Sequence, residues 1–338
     1  RQAVIEACPV STITFSGVTS PISLSTGQIT IDKNLTIQSP GANLLTVQNT
    51  QAASTTSRVF FVNNGVTATI SGLTISGGNT AIGGGGILNL GTLTVTNSTI
   101  SGNTANSGGG INNAGTLTVT NSTISGNTAN SGGAGGGIYN QGTLTVTNST
   151  ISGNTANFSG GGIYSDFRGT LNSGNSIIAG NNAPSGPDIS FALTSQGYNL
   201  IGDTNGITSI SGDTTGNILN VLPLLGPLAN NGGPTQTHAL LPPSPAINAG
   251  SNFLASALTT DQRGPGFLRN VGGRVDIGAF EFDGCNPDIT PPAITCPGSI
   301  TRFTDPGQNT ATVNPGAPVA TDICQLQSVS GVRSDGKA

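Results

Sequence analysis

GTLTVTNSTISGNTAN occupies residues 91–106, and the same sixteen residues return at 115–130 and at 142–157. Two looser copies flank them, GVTATISGLTISGGNTA from Gly65 and GTLNSGNSIIAGNNA from Gly169. A unit that recurs at spacings of 24 and 27 residues is typical of a solenoid, in which each copy forms one supersecondary unit stacked on its neighbours. The repeat therefore predicts one coil per copy.

The segment TLTVT inside each copy has a period of two residues. In the first full copy, Leu93 and Val95 alternate with Thr92, Thr94 and Thr96, as in a strand with one apolar face. A second short strand is predicted around STIS, and a third around GGGINN or GGGIYN. No segment keeps a 3.6-residue apolar period, which excludes a helical solenoid. The pattern predicts an all-β fold, a right-handed parallel β-helix with three strands per coil.

Stacked coils about 4.8 Å apart bring equivalent residues into files along the axis. Two internal files are predicted: Leu93, Leu117 and Leu144, and Val95, Val119 and Val146. The asparagine that ends each TLTVT segment is predicted at a corner with left-handed backbone, which asparagine tolerates. These asparagines are Asn97, Asn121 and Asn148. The glycine runs before the third strand predict tight corners with positive φ.

The threonines of the three TLTVT segments are predicted to form a flat outward grid. Its members are Thr92, Thr94, Thr96, Thr116, Thr118, Thr120, Thr143, Thr145 and Thr147. The structural interpretation is that threonine favours strands and pairs well with itself between neighbouring strands. The functional interpretations are adhesion to a ligand, or binding to ice, whose recognition by Thr-x-Thr arrays resembles this spacing.

The composition excludes several classes of partner. The chain has 338 residues and a net charge of −4, and its ten Lys and Arg residues are scattered, so no basic stripe predicts nucleic-acid binding. No stretch approaches the roughly 20 apolar residues of a membrane-spanning helix. None of the four cysteines lies near His238 or in a CxxC pair, so no metal site or cofactor is predicted.

The opening RQAVIEA predicts a short helix that caps the first coil, because an open solenoid end exposes core and strand edge. The predicted domains are a β-helix over 1–284 and a separate domain over 285–338. Within the first domain the sequence predicts an N-terminal cap at 1–25, coils at 26–230 and a closing module at 231–284.

Residues 1–282 resemble bacterial secreted right-handed β-helix proteins with polymorphic outer-membrane-protein-like repeats and a choice-of-anchor type C-terminal module. The resemblance rests on GLTISGG, GGGI and GTLTVTNSTISGNTA, and then on NGGPTQTHALLPPSPAINAG, DQRG and VDIGAFE. It implies a module that closes the solenoid and brings no catalytic residue with it. It also implies a secreted protein, extracellular or on a cell surface.

DITPPAITCPGSI at 288–300, followed by PVATDIC at 318–324, is similar to the first half of a hyalin-repeat domain, an immunoglobulin-like fold. The resemblance implies a partial β-sandwich over 285–338 and a disulfide between Cys296 and Cys324. Cys8 and Cys285 are predicted near opposite ends of the solenoid, too far apart to pair within one chain. An intermolecular bond between them would produce a filament.

The best-formed coils carry no acid or base. Between Arg58 and Asp166 the sequence has no Asp, Glu, Lys, Arg or His, so no catalytic residue is predicted there. The chain is therefore predicted not to be an enzyme. The competing hypothesis is a carbohydrate-active enzyme, a polysaccharide lyase or hydrolase, with a site in the irregular coils of 166–213. Its candidate carboxylates are Asp166, Asp188, Asp203 and Asp213.

The densest charged cluster follows the coils. It comprises Asp261, Arg263, Arg269, Arg274, Asp276 and Glu281. A salt-bridged structural cap over the last coil is predicted in preference to a substrate site. His238 lies among apolar neighbours without a partner motif, and it is predicted to be structural.

These observations predict a non-enzymatic structural or adhesive scaffold, extracellular or on a cell surface. Its predicted partner is a second copy of the chain, or an extracellular glycan or protein. Self-assembly into filaments, by end-to-end stacking or by strand addition, is a further hypothesis.

Overall fold

The computed structural model describes residues 1–39, 45–52, 54, 57–130, 132–284, 293–295, 303–309 and 319–321. The chain forms two compact units, Arg1–Phe282 and Asp283–Ala338. The first unit is a parallel β-solenoid, as the repeat predicts.

The described residues contain one short helix, α1 (Gln2–Glu6), and otherwise strands and turns. The strands are β1 (Ser11–Thr14), β2 (Ile22–Leu24), β3 (Ile29–Ile31), β4 (Leu35–Gln38), β5 (Thr46–Asn49), β6 (Phe60–Val62), β7 (Thr67–Ser71), β8 (Thr74–Ser76), β9 (Ile87–Asn89), β10 (Thr92–Thr96), β11 (Thr99–Ser101), β12 (Thr104–Ala105), β13 (Ile111–Asn113), β14 (Thr116–Thr120), β15 (Thr123–Ser125), β16 (Thr128–Ala129), β17 (Ile138–Asn140), β18 (Thr143–Thr147), β19 (Thr150–Ser152), β20 (Thr155–Ala156), β21 (Ile163–Ser165), β22 (Thr170–Gly174), β23 (Ile177–Ile178), β24 (Ile189–Ser190), β25 (Leu193–Gln196), β26 (Leu200–Ile201), β27 (Ile210–Asp213), β28 (Ile218–Leu219), β29 (Leu225–Ala229), β30 (Thr237–Leu240), β31 (Ala293–Thr295) and β32 (Val319–Thr321).

Three parallel sheets run along the solenoid, and each coil contributes one strand to a sheet. Sheet A has nine strands, in the order β1-β4-β7-β10-β14-β18-β22-β25-β27. Sheet B also has nine, in the order β2-β5-β8-β11-β15-β19-β23-β26-β28, and sheet C has seven, in the order β24-β21-β17-β13-β9-β6-β3. A short fourth sheet, β12-β16-β20, departs from the predicted three strands per coil, because the Thr-Ala pair of NTAN also pairs between the three full copies.

The predicted internal files are confirmed by the strand register. Leu93 pairs with Leu117, and Leu117 with Leu144, while the three valines of the second file follow the same alignment. All six side chains are buried in one core cluster that extends from Val4 to Ile210. The core is therefore a column of stacked aliphatic layers enclosed by the three sheets.

A ladder of asparagine side chains crosses the interior beside this column. Asn103 Nδ2 donates to Asn127 Oδ1, Asn127 Nδ2 to Asn154 Oδ1, and Asn154 Nδ2 to Asn181 Oδ1, each at 2.9 Å. Asn181 Nδ2 ends the ladder on Asp188 Oδ1, also at 2.9 Å. A buried amide without hydrogen-bond partners destabilises the fold. The asparagine at the same position of each coil is tolerated because its amide bonds to the asparagine of the next coil.

The corner asparagines have the predicted left-handed backbone, with φ of 50° at Asn97, 51° at Asn121 and 50° at Asn148. Asn121 Nδ2 donates to Asn97 Oδ1 at 2.7 Å, so this corner too is linked from coil to coil. Glycine is required where coil backbones touch, since a Cβ added to Gly110 would lie 2.6 Å from the Gly137 carbonyl oxygen.

The N-terminal end is covered by α1, whose Val4 side chain is buried in the core cluster. Lys33 Nζ donates to the Ile5 carbonyl at 2.9 Å and so satisfies the end of the helix. The coils begin earlier than the predicted boundary at residue 26, because β1 and β2 already belong to sheets A and B.

Residues 225–282, called the strap here, lie along the outward face of sheet B. Thr99 Oγ1 donates to the Gln236 carbonyl, and Thr123 Oγ1 to Gln262 Oε1, each at 2.6 Å. Further along the sheet, strap residues form a second core cluster with outward Ile177. The predicted closing module thus lies against the side of the coils. The outward face of sheet B presents threonines and then apolar residues, and the strap removes these side chains from water.

The second unit is described at only a few positions. Its β31 and β32 form an antiparallel pair, with Ala293 opposite Thr321 and Thr295 opposite Val319. Cys285, Cys296 and Cys324 lie outside the described residues, so the predicted disulfide and the Cys8–Cys285 contact stay predictions.

Truncation of an internal file should destabilise the solenoid. We expect Leu117→Ala to lower the free energy of unfolding by about 2–5 kcal/mol, because the aliphatic column cannot close over the cavity. The matched control is Thr118→Ala, one residue along and facing outward, with an expected change within about 0.5 kcal/mol. Denaturant titrations measure both values, and equal losses would contradict the assigned register.

Candidate functional site

The nine threonines of the predicted grid lie in register on the outward face of sheet A. Thr92 is opposite Thr116, Thr94 opposite Thr118 and Thr96 opposite Thr120, and the alignment continues into β18. The first threonine of each strand is exposed and the other two are half-buried. No titratable group belongs to the grid, so its chemistry is restricted to hydrogen bonding and methyl contact.

The middle row of the grid continues beyond the repeats. We call it the hydroxyl row: Thr12, Thr36, Thr69, Thr94, Thr118, Thr145, Asn172, Thr194 and Ser211, one residue from every strand of sheet A. Eight of these nine positions carry a hydroxyl, at intervals of one strand spacing, about 4.8 Å. Sequence reasoning found only the central three, because the outer coils lack the recognisable motif.

The charged cluster is buried inside the strap. The Asp261–Arg263 ion pair has an N–O distance of 2.7 Å, and Asp261 also accepts the backbone N–H of Arg263. The Arg263 guanidinium is held between the rings of Phe267 and Phe280, at 4.0 and 3.8 Å from their centroids. Stacked and ion-paired in this way, an arginine is tolerated in the interior.

The second half of the cluster joins the strap to the coils. Arg269 Nη1 lies 3.7 Å from Glu281 Oε2, and Arg269 Nη2 donates to Asn148 Oδ1 at a corner of the solenoid. Glu281 also accepts the backbone N–H of Val271 and of Asp276. The cluster therefore lies against the side of the coils, not over the last coil as the sequence suggested.

Arg274 is separate from this network. Its Nε donates to the Gly250 carbonyl at 2.9 Å, and its guanidinium lies 5.6 Å from the Tyr198 ring centroid. Its hydrogen bonds stabilise the outer turns of the strap. The other five residues of the predicted charged cluster form one buried group.

Burial raises the pKa of the three carboxyl groups. The pKa of Glu281 rises to about 8, from loss of hydration first and then from neighbouring Asp276, and the pKa of Asp276 rises to about 6 through burial. Burial also raises the pKa of Asp261. Three carboxylates face two guanidiniums, Arg263 and Arg269, so a single proton on Glu281 leaves the group neutral. The folded protein thus retains a proton that an unfolded chain releases.

His238 has a partner that the sequence did not reveal. Its Nε2 lies 2.8 Å from Ser125 Oγ, 113 residues away, and its Nδ1 lies 2.7 Å from the Gly226 carbonyl. A carbonyl can only accept, so Nδ1 carries the hydrogen and the serine hydroxyl donates to Nε2. Burial lowers the pKa of His238, which keeps the imidazole neutral.

A serine bonded to a neutral histidine is also the arrangement of an activated nucleophile. Here both side chains are enclosed between sheet B and the strap, with exposed fractions of 4% for Ser125 and 9% for His238. The pair therefore acts as a joint that ties the strap to the coils.

The carboxylates proposed for an enzyme site are all bonded to nearby backbone N–H groups. Asp166 accepts from Arg168, and exposed Asp213 accepts from Thr215. The side-chain hydrogen bond from Thr215, and then its backbone N–H, lower the pKa of Asp213. Buried Asp188 accepts from the Asp203 backbone at 2.7 Å, and burial raises its pKa. Each of these contacts stabilises a turn or a coil junction.

Other candidate sites are limited in the described part of the chain. A depression of about 570 Å³ near the first coils is lined by small or neutral residues, Ser25, Thr26, Gly27, Gln51, Ala52, Ser54 and Ser57. Among the described residues, no three His, Cys, Asp or Glu side chains converge as metal ligands would, and no helix has the length and hydropathy needed to cross a membrane. Cys8 is exposed as a free thiol.

Residues 287–337 match the family model of the HYR domain. HYR domains occur in extracellular or cell-surface proteins. The match agrees with the hyalin-repeat resemblance of the C-terminal residues, and it suggests a cell-surface or adhesion-type role for a chain whose solenoid is a structural scaffold. Searches of curated proteins and of solved structures gave no significant match.

The retained proton predicts a pH-dependent stability. Because the pKa of Glu281 is raised in the folded state, its contribution is complete below the unfolded value near 4.5 and is lost as the pH rises through about 8. We expect Glu281 to lower the free energy of unfolding by up to about 1.4 kcal/mol per pH unit in this interval, and Asp276 to add to the fall below about pH 6.

Denaturant titrations at pH 5, 6, 7, 8 and 9 measure this slope. Glu281→Gln should flatten it above about pH 6, since an amide has no proton to lose, whereas the control Glu6→Gln, at an exposed position of α1, should leave it unchanged. The same slope in wild type and Glu281→Gln would show that the retained proton lies elsewhere.

Proposed function

We propose that the chain is a non-enzymatic scaffold, extracellular or on a cell surface, that works by adhesion. The HYR match carries this proposal, because that domain suggests a surface or adhesion-type role. The uncharged, regular faces of the solenoid support it, since they offer repeated hydrogen-bonding groups without an acid or base. The turn-forming contacts of Asp166, Asp188, Asp203 and Asp213 favour it over the polysaccharide-cleaving alternative.

We also propose that the chain belongs with the bacterial secreted right-handed β-helix proteins that its repeats and strap resemble. In this reading the strap is the counterpart of the closing module and stiffens the rod from the side. Filament formation by end-to-end stacking is less favoured, because α1 covers the first coil and would have to be displaced.

Adhesion without cleavage is the expected outcome of a direct assay. Beads coated with the full chain should adhere to some member of a panel of immobilised extracellular proteins and polysaccharides, and the same polysaccharides should yield no new reducing ends and no unsaturated products. Asp203 lies in a half-exposed turn. Cleavage by the wild type that is lost in Asp203→Asn would contradict the scaffold proposal and support the polysaccharide-cleaving alternative. Beads that adhere to nothing would contradict the adhesive role.

A second candidate function, ice binding, is favoured by one observation. The hydroxyl row extends over all nine strands of sheet A without a charged side chain. A flat array of this length can present hydroxyl and methyl groups at a fixed repeat to an ordered lattice.

If ice is the ligand, Thr118→Lys and Thr94→Lys should abolish thermal hysteresis, because a charged, mobile side chain disrupts the flat row. The control is Thr30→Lys, at an exposed outward position of sheet C. Circular dichroism should show the same fold in all three variants. Wild-type protein without thermal hysteresis, or equal loss in the control, would exclude this function.

A further inference from the structure

Sheet C also has an outward row, and it differs in character from the hydroxyl row. Its residues are Thr30, Phe61, Leu88, Asn112, Tyr139, Tyr164 and Ser190. Tyr139 and Tyr164 are stacked, with ring centroids 5.2 Å apart and planes 3° apart. Phe191 then meets Tyr164 edge-on, with centroids 5.3 Å apart.

Two further aromatic residues flank β21 in the chain. Phe158 precedes the strand and is 59% exposed, and Phe167 follows it and is 79% exposed. The Arg168 guanidinium lies 4.9 Å from the Phe167 ring centroid. We call the aromatic residues of these three coils, with their polar neighbours, the tyrosine patch: Tyr139, Phe158, Tyr164, Phe167 and Phe191, with Gln141, Asp166 and Arg168.

The patch coincides with departures from an otherwise uniform repeat. The preceding coil holds Asn112 where the next two hold Tyr139 and Tyr164. The link from sheet C to sheet A reads NAG and NQG in two coils, but SDFRG at 165–169. The internal leucine and valine files do not need these changes. Exposed aromatic residues that add nothing to the core mark an interaction surface.

The polar groups of the patch are held in place. Asp166 Oδ1 accepts the backbone N–H of Arg168 and of Gly169, and Asp166 Oδ2 accepts from Gln141 Nε2 at 3.3 Å. Asp166 and Arg168 are also the first charged residues after Arg58 along the chain. Fixed hydrogen-bonding groups therefore border the ring surfaces.

Ring faces bordered by amide, carboxylate and guanidinium groups match the chemistry of a sugar. The C–H face of a pyranose packs on an aromatic ring, and its hydroxyl groups accept and donate hydrogen bonds at the border. Tyr139 has Tyr164 on one side, and among the described residues no ring contacts its other side, where the preceding coil holds Asn112. A sugar ring that packs on the exposed part of Tyr139 therefore lies beside an amide.

The spacing of the rings favours a polymer over a single sugar. Phe158 and Phe167 lie before and after β21, in the coil that also holds Tyr164, so the exposed rings are spread across that coil over at least the length of the strand, about 10 Å. Arg168 is the patch's single cation and Asp166 its single anion, so a strongly anionic chain would find little compensation.

We propose that the tyrosine patch binds a neutral polysaccharide. This inference rests on the proposed adhesive function and names the partner. The polymer's sugar rings pack on Tyr139, Phe158 and Phe167, and Asn112, Gln141 and Asp166 hold its hydroxyl groups.

Affinity electrophoresis of the full chain tests the inference in gels that contain hydroxyethyl cellulose, glycol chitin, laminarin, xylan or mannan. At least one polysaccharide should retard the wild type, and Tyr139→Asn and Phe167→Ser should each weaken that retardation about tenfold. Asparagine already occupies the Tyr139 position in the preceding coil, and Phe167 lies in a turn, so both variants should keep the fold. The control Thr118→Asn copies Asn172 on sheet A and should bind normally.

Tyrosine fluorescence provides an independent readout, because the chain has three tyrosines and no tryptophan. The polysaccharide that retards the wild type should change its emission, and Tyr139→Asn should reduce that change. No retardation by any of the five polysaccharides, or equal retardation of the Tyr139→Asn variant, would overturn the inference. If the beads adhere only to immobilised proteins, the sugar ligand is wrong and the adhesive function stands. If they adhere to nothing, both fail.

Discussion

The in-register pairing of each coil with the next is the interaction on which the whole molecule depends. Parallel pairing aligns Leu93 with Leu117 and Thr94 with Thr118, so every side chain meets its own counterpart one strand spacing away. Each buried side chain must therefore make a favourable contact with an identical side chain in the next coil. Leucine and valine do so by packing, and buried asparagine does so because an amide both donates and accepts, as in the ladder from Asn103 to Asp188. A buried row of like charges could not, which accounts for the uncharged central coils.

The strap follows from the same geometry. Sheet B turns its threonines and then Ile177 and Leu200 outward, and these residues become buried only when another segment covers them. The strap has no repeat of its own, so it uses the interactions that the coils avoid: ion pairs, a stacked arginine and the Ser125–His238 joint. Charge is therefore concentrated where the fold is irregular.

With sheet B covered, sheets A and C provide the regular faces for contact with a partner. Sheet A presents a uniform hydroxyl row, and sheet C presents a mixed row interrupted by aromatic residues at Tyr139 and Tyr164. The uniform face suits an ordered surface, and the aromatic patch suits the sugar rings of a polysaccharide. Both depend on rigidity, because a fixed backbone keeps the spacing of the groups without the loss of entropy that flexible loops would suffer on binding.

The sequence by itself determined what repeats. A period of 24 to 27 residues with alternating TLTVT gave the coils, the inward leucines and valines, the outward threonines and the left-handed asparagine corners, since each is set by local pattern and by stacking of identical units. The sequence could not predict the position or contacts of features that occur only once in the chain. The strap's position on sheet B, the joining of Ser125 to His238, the proton held at Glu281 and the stack of Tyr139 on Tyr164 depend on contacts between distant or unmatched segments. Only the tertiary structure brings those groups together, because no local periodicity encodes which face of a solenoid a non-repeating segment covers.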